Sequence, residues 1–306
     1  VGPRSNIAKR GGGANTIGMR PFHLALLLAL VSAPLAAAPA QPQAGKGKTG
    51  MFRGAYDAPK DPKYKTIYEQ LKKDQALERF SGVLAAIKLP KPLVLKFAGC
   101  DGTSNAWYEP ADGTVTFCYE YVAEIQKGAE GSTAAGIPFE TAWQGAVVFV
   151  LLHETGHALF DLLKVPLLGR EEDAADNVAA FLMLRAGEGI ARKVLGGAAW
   201  MYLHDAKGRM PDESDFADVH GLDSQRFYNV LCMAYGSNPG SFKGMVDKGY
   251  LPKDRAEGCA EEFKQVAYAV KQLIDPSVDA ELAARIKAAH KMRWEKPAQT
   301  AQSVPK

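Results

Sequence analysis

The segment His153-Glu154-Thr155-Gly156-His157 holds the residue types and the spacing that metal-assisted hydrolysis needs. On a helix, positions i and i+4 share a face, so both imidazoles project together and can take two corners of a zinc tetrahedron. Glu154 sits beside them, placed to reach a water at the metal rather than the metal itself, as a general base must. The preceding run, Ala146 to Leu152, is almost wholly apolar, which predicts a buried helix and a rigid frame for the ligands. The plain alternative is two surface histidines on an amphipathic helix. The apolar flanks argue against it, because buried paired histidines need a partner.

A catalytic zinc site requires a third protein ligand. After a short connection comes Arg170-Glu171-Glu172-Asp173-Ala174-Ala175-Asp176, at the start of a second helix. Glu172 and Asp176 are four apart and share a face, so Glu172 can ligate the metal while Asp176 accepts a hydrogen bond from a ligand imidazole. Glu171 and Asp173 are the competing choices for that ligand; with Glu172 preferred, they can complement the helix dipole. The polar stretch from Asp215 to Arg226 is the best source of a group for the developing oxyanion. His220, between Asp218 and Asp223, is the candidate, with Arg226 and Tyr228 as competitors. A helix cap or a solvated loop is the plain reading of His220, and local ion pairing that of Arg226. His204 and His290 have no ligand-like neighbours and read as surface residues.

The elements that must position these groups can be read from periodicity. Ile67, Leu71, Leu77, Phe80 and Val83 recur at helical spacing over 64–86. Leu93 to Phe97 is strand-like, and the segments 106–109 and 114–119 flank the turn Pro110-Ala111-Asp112-Gly113. These predict a small, mainly antiparallel sheet, with Thr114 to Tyr119 as a strand to which a substrate backbone could pair. After Pro138 the pattern is helical almost throughout, over about 139–163, 170–185, 189–204, 222–234, 257–274 and 278–293. A sheet-bearing first half and a helical second half define an α+β class.

Cys100 and Cys118 lie 18 residues apart and Cys232 and Cys259 27 apart, with no CxxC among them. Local disulfide pairing is expected: Cys100 and Cys118 end two strand-like segments, and Cys232 and Cys259 flank a long loop. Met19, Arg20, the apolar run Leu24 to Val31 and Ala38-Pro39-Ala40 read as a secretory signal cleaved before Gln41. Residues 1–40 are therefore expected to be upstream sequence and signal, 41–60 a flexible leader, 61–295 one domain and 296–306 a flexible tail. The expected location is periplasmic or extracellular. Without the first forty residues the 306-residue chain keeps 33 basic against 34 acidic side chains, which offers no nucleic-acid footprint. No membrane association is expected after cleavage of the signal.

His153-Glu154-Thr155-Gly156-His157 followed by Glu172-Asp173-Ala174-Ala175-Asp176 resembles the gluzincin branch of the zincin metallopeptidases. Segments 105–108, 117–120, 152–158 and 220–228 resemble more closely a family of exported bacterial proteins described as metallopeptidases. The resemblance covers about residues 60–275. It implies a zincin-like fold, one zinc ion per chain held by His153, His157 and Glu172, Asp176 orienting a ligand histidine, and a peptide or protein substrate. The connection from His157 to Glu172 is shorter than in many large gluzincins, so their substrate subsites do not transfer. The resulting expectation is a zinc-dependent endopeptidase with Glu154 as general base. A non-catalytic, zinc-stabilised exported binding module is the alternative, and Glu154 is the residue that such a module would not need.

Overall fold

A computed structural model describes residues 51–208 and 210–295, the last seven of these by backbone alone. The expected signal, the first half of the expected leader, the 296–306 tail and the His290 side chain lie outside the described residues. Four strands, β1 (Phe52–Tyr56), β2 (Leu93–Ala98), β3 (Ala106–Glu109) and β4 (Thr114–Cys118), form one sheet in the order β1-β2-β4-β3. The α+β class holds, but the sheet is mixed: β1 and β4 run parallel to β2, and only the β3–β4 hairpin is antiparallel.

The physical reason lies in burial and connection. All five residues of β4 are buried, so it takes an interior position, while the partly exposed β3 goes to the edge. β1 reaches its parallel place through a helical crossover made by α1 (Lys65–Lys73) and α2 (Ala76–Leu84). Residues 52–56, which composition assigns to the leader, are thus an edge strand. Thr114 to Tyr119 offers no free edge, because β4 is paired on both sides. Its aromatic residues Phe117 and Tyr119 are fully buried core, as alternation alone suggests.

Helices α3 (Tyr119–Ala129), α4 (Phe139–Leu163), α5 (Glu171–Ala186) and α6 (Glu188–Asp205) follow, then α7 (Glu213–Ala217) and α8 (Asp223–Ser237). Two short turns, α9 (Pro239–Phe242) and α10 (Gly244–Asp247), lead to α11 (Lys253–Leu273) and α12 (Ala280–Glu295). The 25-residue α4 is the central element. It is apolar and long enough to cross a bilayer, yet most of it is buried inside the domain. α6 crosses it so closely that a Cβ on Gly197 would stand 2.6 Å from the Ala142 carbonyl oxygen. Only glycine fits there.

Both disulfides are the local ones. Cys100–Cys118 ties the connection after β2 to the end of β4. Cys232–Cys259 joins α8 to α11, so these two cysteines sit within helices rather than beside a loop. Two such bridges fit an oxidising compartment.

Candidate metal centre

The helical period of α4 stacks His153 and His157 on one face, and both lie where α5 passes. The approach depends on Gly156, where an added Cβ would stand 3.2 Å from Ala175 Cα. That close crossing brings the first turn of α5 to the histidines. His153 Nε2 and His157 Nε2 are 3.1 Å apart. Glu172 Oε2 is 3.0 Å from the first and 3.3 Å from the second. Ligand bonds of about 2.0–2.1 Å place the corners of a tetrahedron ~3.3 Å apart, so these three atoms fit three corners and leave the fourth open. Cys100, Cys118 and Glu120 also converge, but the two sulfurs are bonded to each other and offer no thiolate.

Each donor is held from behind. Asp176 Oδ1 lies 2.7 Å from His153 Nδ1, which turns Nε2 toward the site. Asp176 in turn accepts from Arg226, Nε to Oδ2 at 2.8 Å and a terminal nitrogen to Oδ1 at 2.9 Å. The Tyr202 hydroxyl donates to the same Oδ1 at 3.3 Å. Glu171 Oε1 performs the corresponding task for His157, 2.8 Å from its Nδ1. His220 reaches in from the α7–α8 connection, with Nε2 3.0 Å from Glu172 Oε2 and Nδ1 2.9 Å from Asp218.

The charges follow from these contacts. Burial alone would raise Glu172, but hydrogen bonds from His153, His157 and His220 hold it far below the usual carboxylate range. Burial would lower His153, yet its bonds to Asp176 and Glu172 carry it to about 9 without metal. Asp176 resists burial through Arg226 and His153 and stays at about 2. Glu154 differs from both carboxylates. It is 8% exposed, and burial pushes it upward, the direction suited to a group that must take a proton.

His153, Glu154, His157, Glu172 and His220 all face one cleft of about 490 Å³, whose far wall is β3 through Ala106, Trp107 and Tyr108. Arg226 also lines it but is committed to Asp176. Tyr228, the other competitor, lies in a neighbouring hollow with Arg170 and Arg255. Asp173 makes no contact with the histidines among those described, while Glu171 does more than complement the helix dipole. His204 is exposed beside Trp200, away from the centre. Sequence reasoning missed the roles of Glu171 and Tyr202; for Arg226 its plain reading was a local carboxylate partner, and the structure gives it Asp176, 50 residues away.

Residues 56–274 match the family described as “putative metallopeptidase”, and the chain belongs to that family. No curated protein and no solved structure matches it. A metallopeptidase family implies a metal ion and a peptide or protein substrate. Among the described residues, His153, His157 and Glu172 are the group whose donor atoms fit such an ion.

Proposed function

We propose that the domain is an exported zinc-dependent endopeptidase that holds one zinc ion on His153, His157 and Glu172. The observation that carries the reading is a buried carboxylate, Glu154, in the same cleft as two imidazoles and a third acidic ligand whose donor atoms stand at tetrahedral spacing. Zinc, when bound, supplies Lewis acidity toward water and a peptide carbonyl. Glu154 takes the proton of the attacking water and delivers it to the leaving amine. His220, steadied through Nδ1 by Asp218, donates from Nε2 to the oxyanion. Asp176 and Glu171 keep the ligand imidazoles oriented.

The wall of the cleft suits a peptide backbone. The Asn105 carbonyl accepts from Cys118 and the Glu109 carbonyl from Gly113, so alternation turns the backbone groups of Ala106 and Tyr108 to the free edge. A chain laid along that edge is gripped by its backbone, which favours cutting within a polypeptide over trimming its ends. Secretory export rests on the Met19-to-Ala40 pattern and on the two disulfides.

Glu154→Gln is the decisive variant. It should abolish casein cleavage while elemental analysis still finds one zinc per chain, because the substitution removes a base and no ligand. Parental cleavage by that variant would refute the assignment. Zinc retained in a parent protein that cleaves no peptide would favour the binding module.

A further inference from the structure

We propose that Tyr108 and Asp161 form a pin that sets the distance between the free sheet edge and Glu154, which makes both positioning residues of the peptidase proposed above. The inference rests on that reading for its catalytic consequence, though the pin itself is a property of the fold. β3 is four residues long and among the described residues pairs only with β4, so one side of it has no strand there to hold it. That unheld side is the wall of the cleft. Something else must fix where it stands.

Tyr108 bears on α4 in two ways. Its backbone N–H, on the free edge by the alternation above, belongs to the wall of the cleft that Glu154 also lines. Its side chain runs along the helix, and the phenol donates to Asp161 Oδ2 at 2.8 Å. Glu154 and Asp161 are seven residues apart, two helical turns, and so lie on one face of α4 about 10 Å apart along the axis. A single residue of the edge strand thus spans from the cleft of the proposed general base to a second carboxylate on the same helix face.

Asp161 is an unexpected residue for its place. It stands in the last turn of α4, where the helix dipole disfavours a carboxylate. Lys164 Nζ, 2.9 Å away, occupies Oδ1 and leaves Oδ2 to the phenol. The half-buried Tyr108 hydroxyl has its bond to a charged acceptor, the stronger kind of hydrogen bond. Without the pin, β3 remains attached through β4, but its distance from Glu154 is no longer set from the helix side. The expected cost falls on the chemical step, where Glu154 and the backbone groups of the edge must be in register with the substrate, rather than on zinc.

The test uses the full zinc-loaded chain, a quenched fluorescent casein, and hydrogen exchange of the 106–109 amides read by mass spectrometry. Tyr108→Phe and Asp161→Leu should each lower kcat about tenfold, with KM within twofold and zinc content unchanged, and should speed exchange in β3. The double variant should be no worse than either single one, since both remove the same bond. Asp161→Asn keeps an acceptor oxygen and should keep most of the parental kcat. The pin is refuted by parental kcat and exchange in Tyr108→Phe, by additive losses in the double variant, or by a loss confined to KM or to melting temperature. Exchange is measured without substrate. A parent protein that cleaves nothing therefore sinks the peptidase reading, while the exchange of β3 in Tyr108→Phe still decides for or against the pin.

Discussion

Gly156 lies inside the histidine motif, and its replacement by alanine separates what the fold needs from what the metal needs. A Cβ at that position would stand 3.2 Å from Ala175 Cα, 3.4 Å from Ala175 Cβ and 3.5 Å from the Ala175 carbonyl oxygen. Ordinary carbon contacts lie at about 3.5–4.0 Å, so α5 must retreat by ~0.3–0.5 Å, and these are backbone and Cβ atoms that no rotamer change can move aside. Glu172 and Asp176 bracket Ala175 on the same helix and move with it. Metal–ligand distances tolerate about 0.2 Å. Zinc affinity should therefore fall about 10–100-fold, or ~1.4–2.8 kcal/mol, the range seen when ligand support is disturbed. The fold should hardly notice. Alanine is favoured over glycine by ~1 kcal/mol in a helix interior, which offsets much of the crowding. Chelator competition measures the affinity, and melting of the metal-free protein measures the fold. Gly196→Ala is the control: it lies in α6 with no atom within 4 Å of the added Cβ, and should stabilise by ~0.5–1 kcal/mol without touching zinc. If Gly156→Ala holds zinc as tightly as the parent, the close crossing of α4 and α5 does not set the ligand geometry.

Two further outcomes are expected. Glu172→Gln should release zinc on mild chelation, whereas Asp173→Asn should change only helix-terminus electrostatics, worth ~0.3–1 kcal/mol; loss of metal from Asp173→Asn alone, by elemental analysis, would make the site aspartate-ligated. In metal-free protein, His153 rises from an ordinary value near 6.5 to about 9, so its contribution is complete below pH 6.5 and is lost as pH climbs through 9. Chemical denaturation across that interval should show the decline, and Asp176→Asn should shrink it.

The long helices after Pro138 were legible because each carries its own period, whereas α3, which follows β4 directly, was not read. The reading of 139–163 matches α4 residue for residue, since Pro138 starts it and the apolar run sustains it. Sheet order was not legible. Two strands joined by a turn announce a hairpin, but nothing local says that β4 will insert beside β2 and leave β3 outside. That outcome depends on burial of all five β4 residues between β2, β3 and the packed helices α3 and α4. β1 was hidden for a related reason: Phe52 alone of its residues is buried, so its composition resembles a linker and only pairing with β2 makes it a strand.

The same division runs through the site. His153, His157, Glu172 and Asp176 form two i, i+4 pairs, and helical geometry alone puts each pair on one face. What holds Asp176, and through it His153, comes from other parts of the chain: Arg226 from α8 and Tyr202 from α6, at separations that no spacing rule reaches. Arg226 shows the consequence. Its charge and proximity to His220 make it a reasonable partner for an oxyanion, yet Asp176 is buried between α4 and α6 and would stand as an uncompensated charge without a cation. The buried carboxylate has first claim on the guanidinium, and His220, steadied at Nδ1 by the exposed Asp218 and resting at Nε2 against Glu172, is the donor proposed above for the substrate. Competition for buried charge, rather than sequence position, thus divides the roles between the two residues.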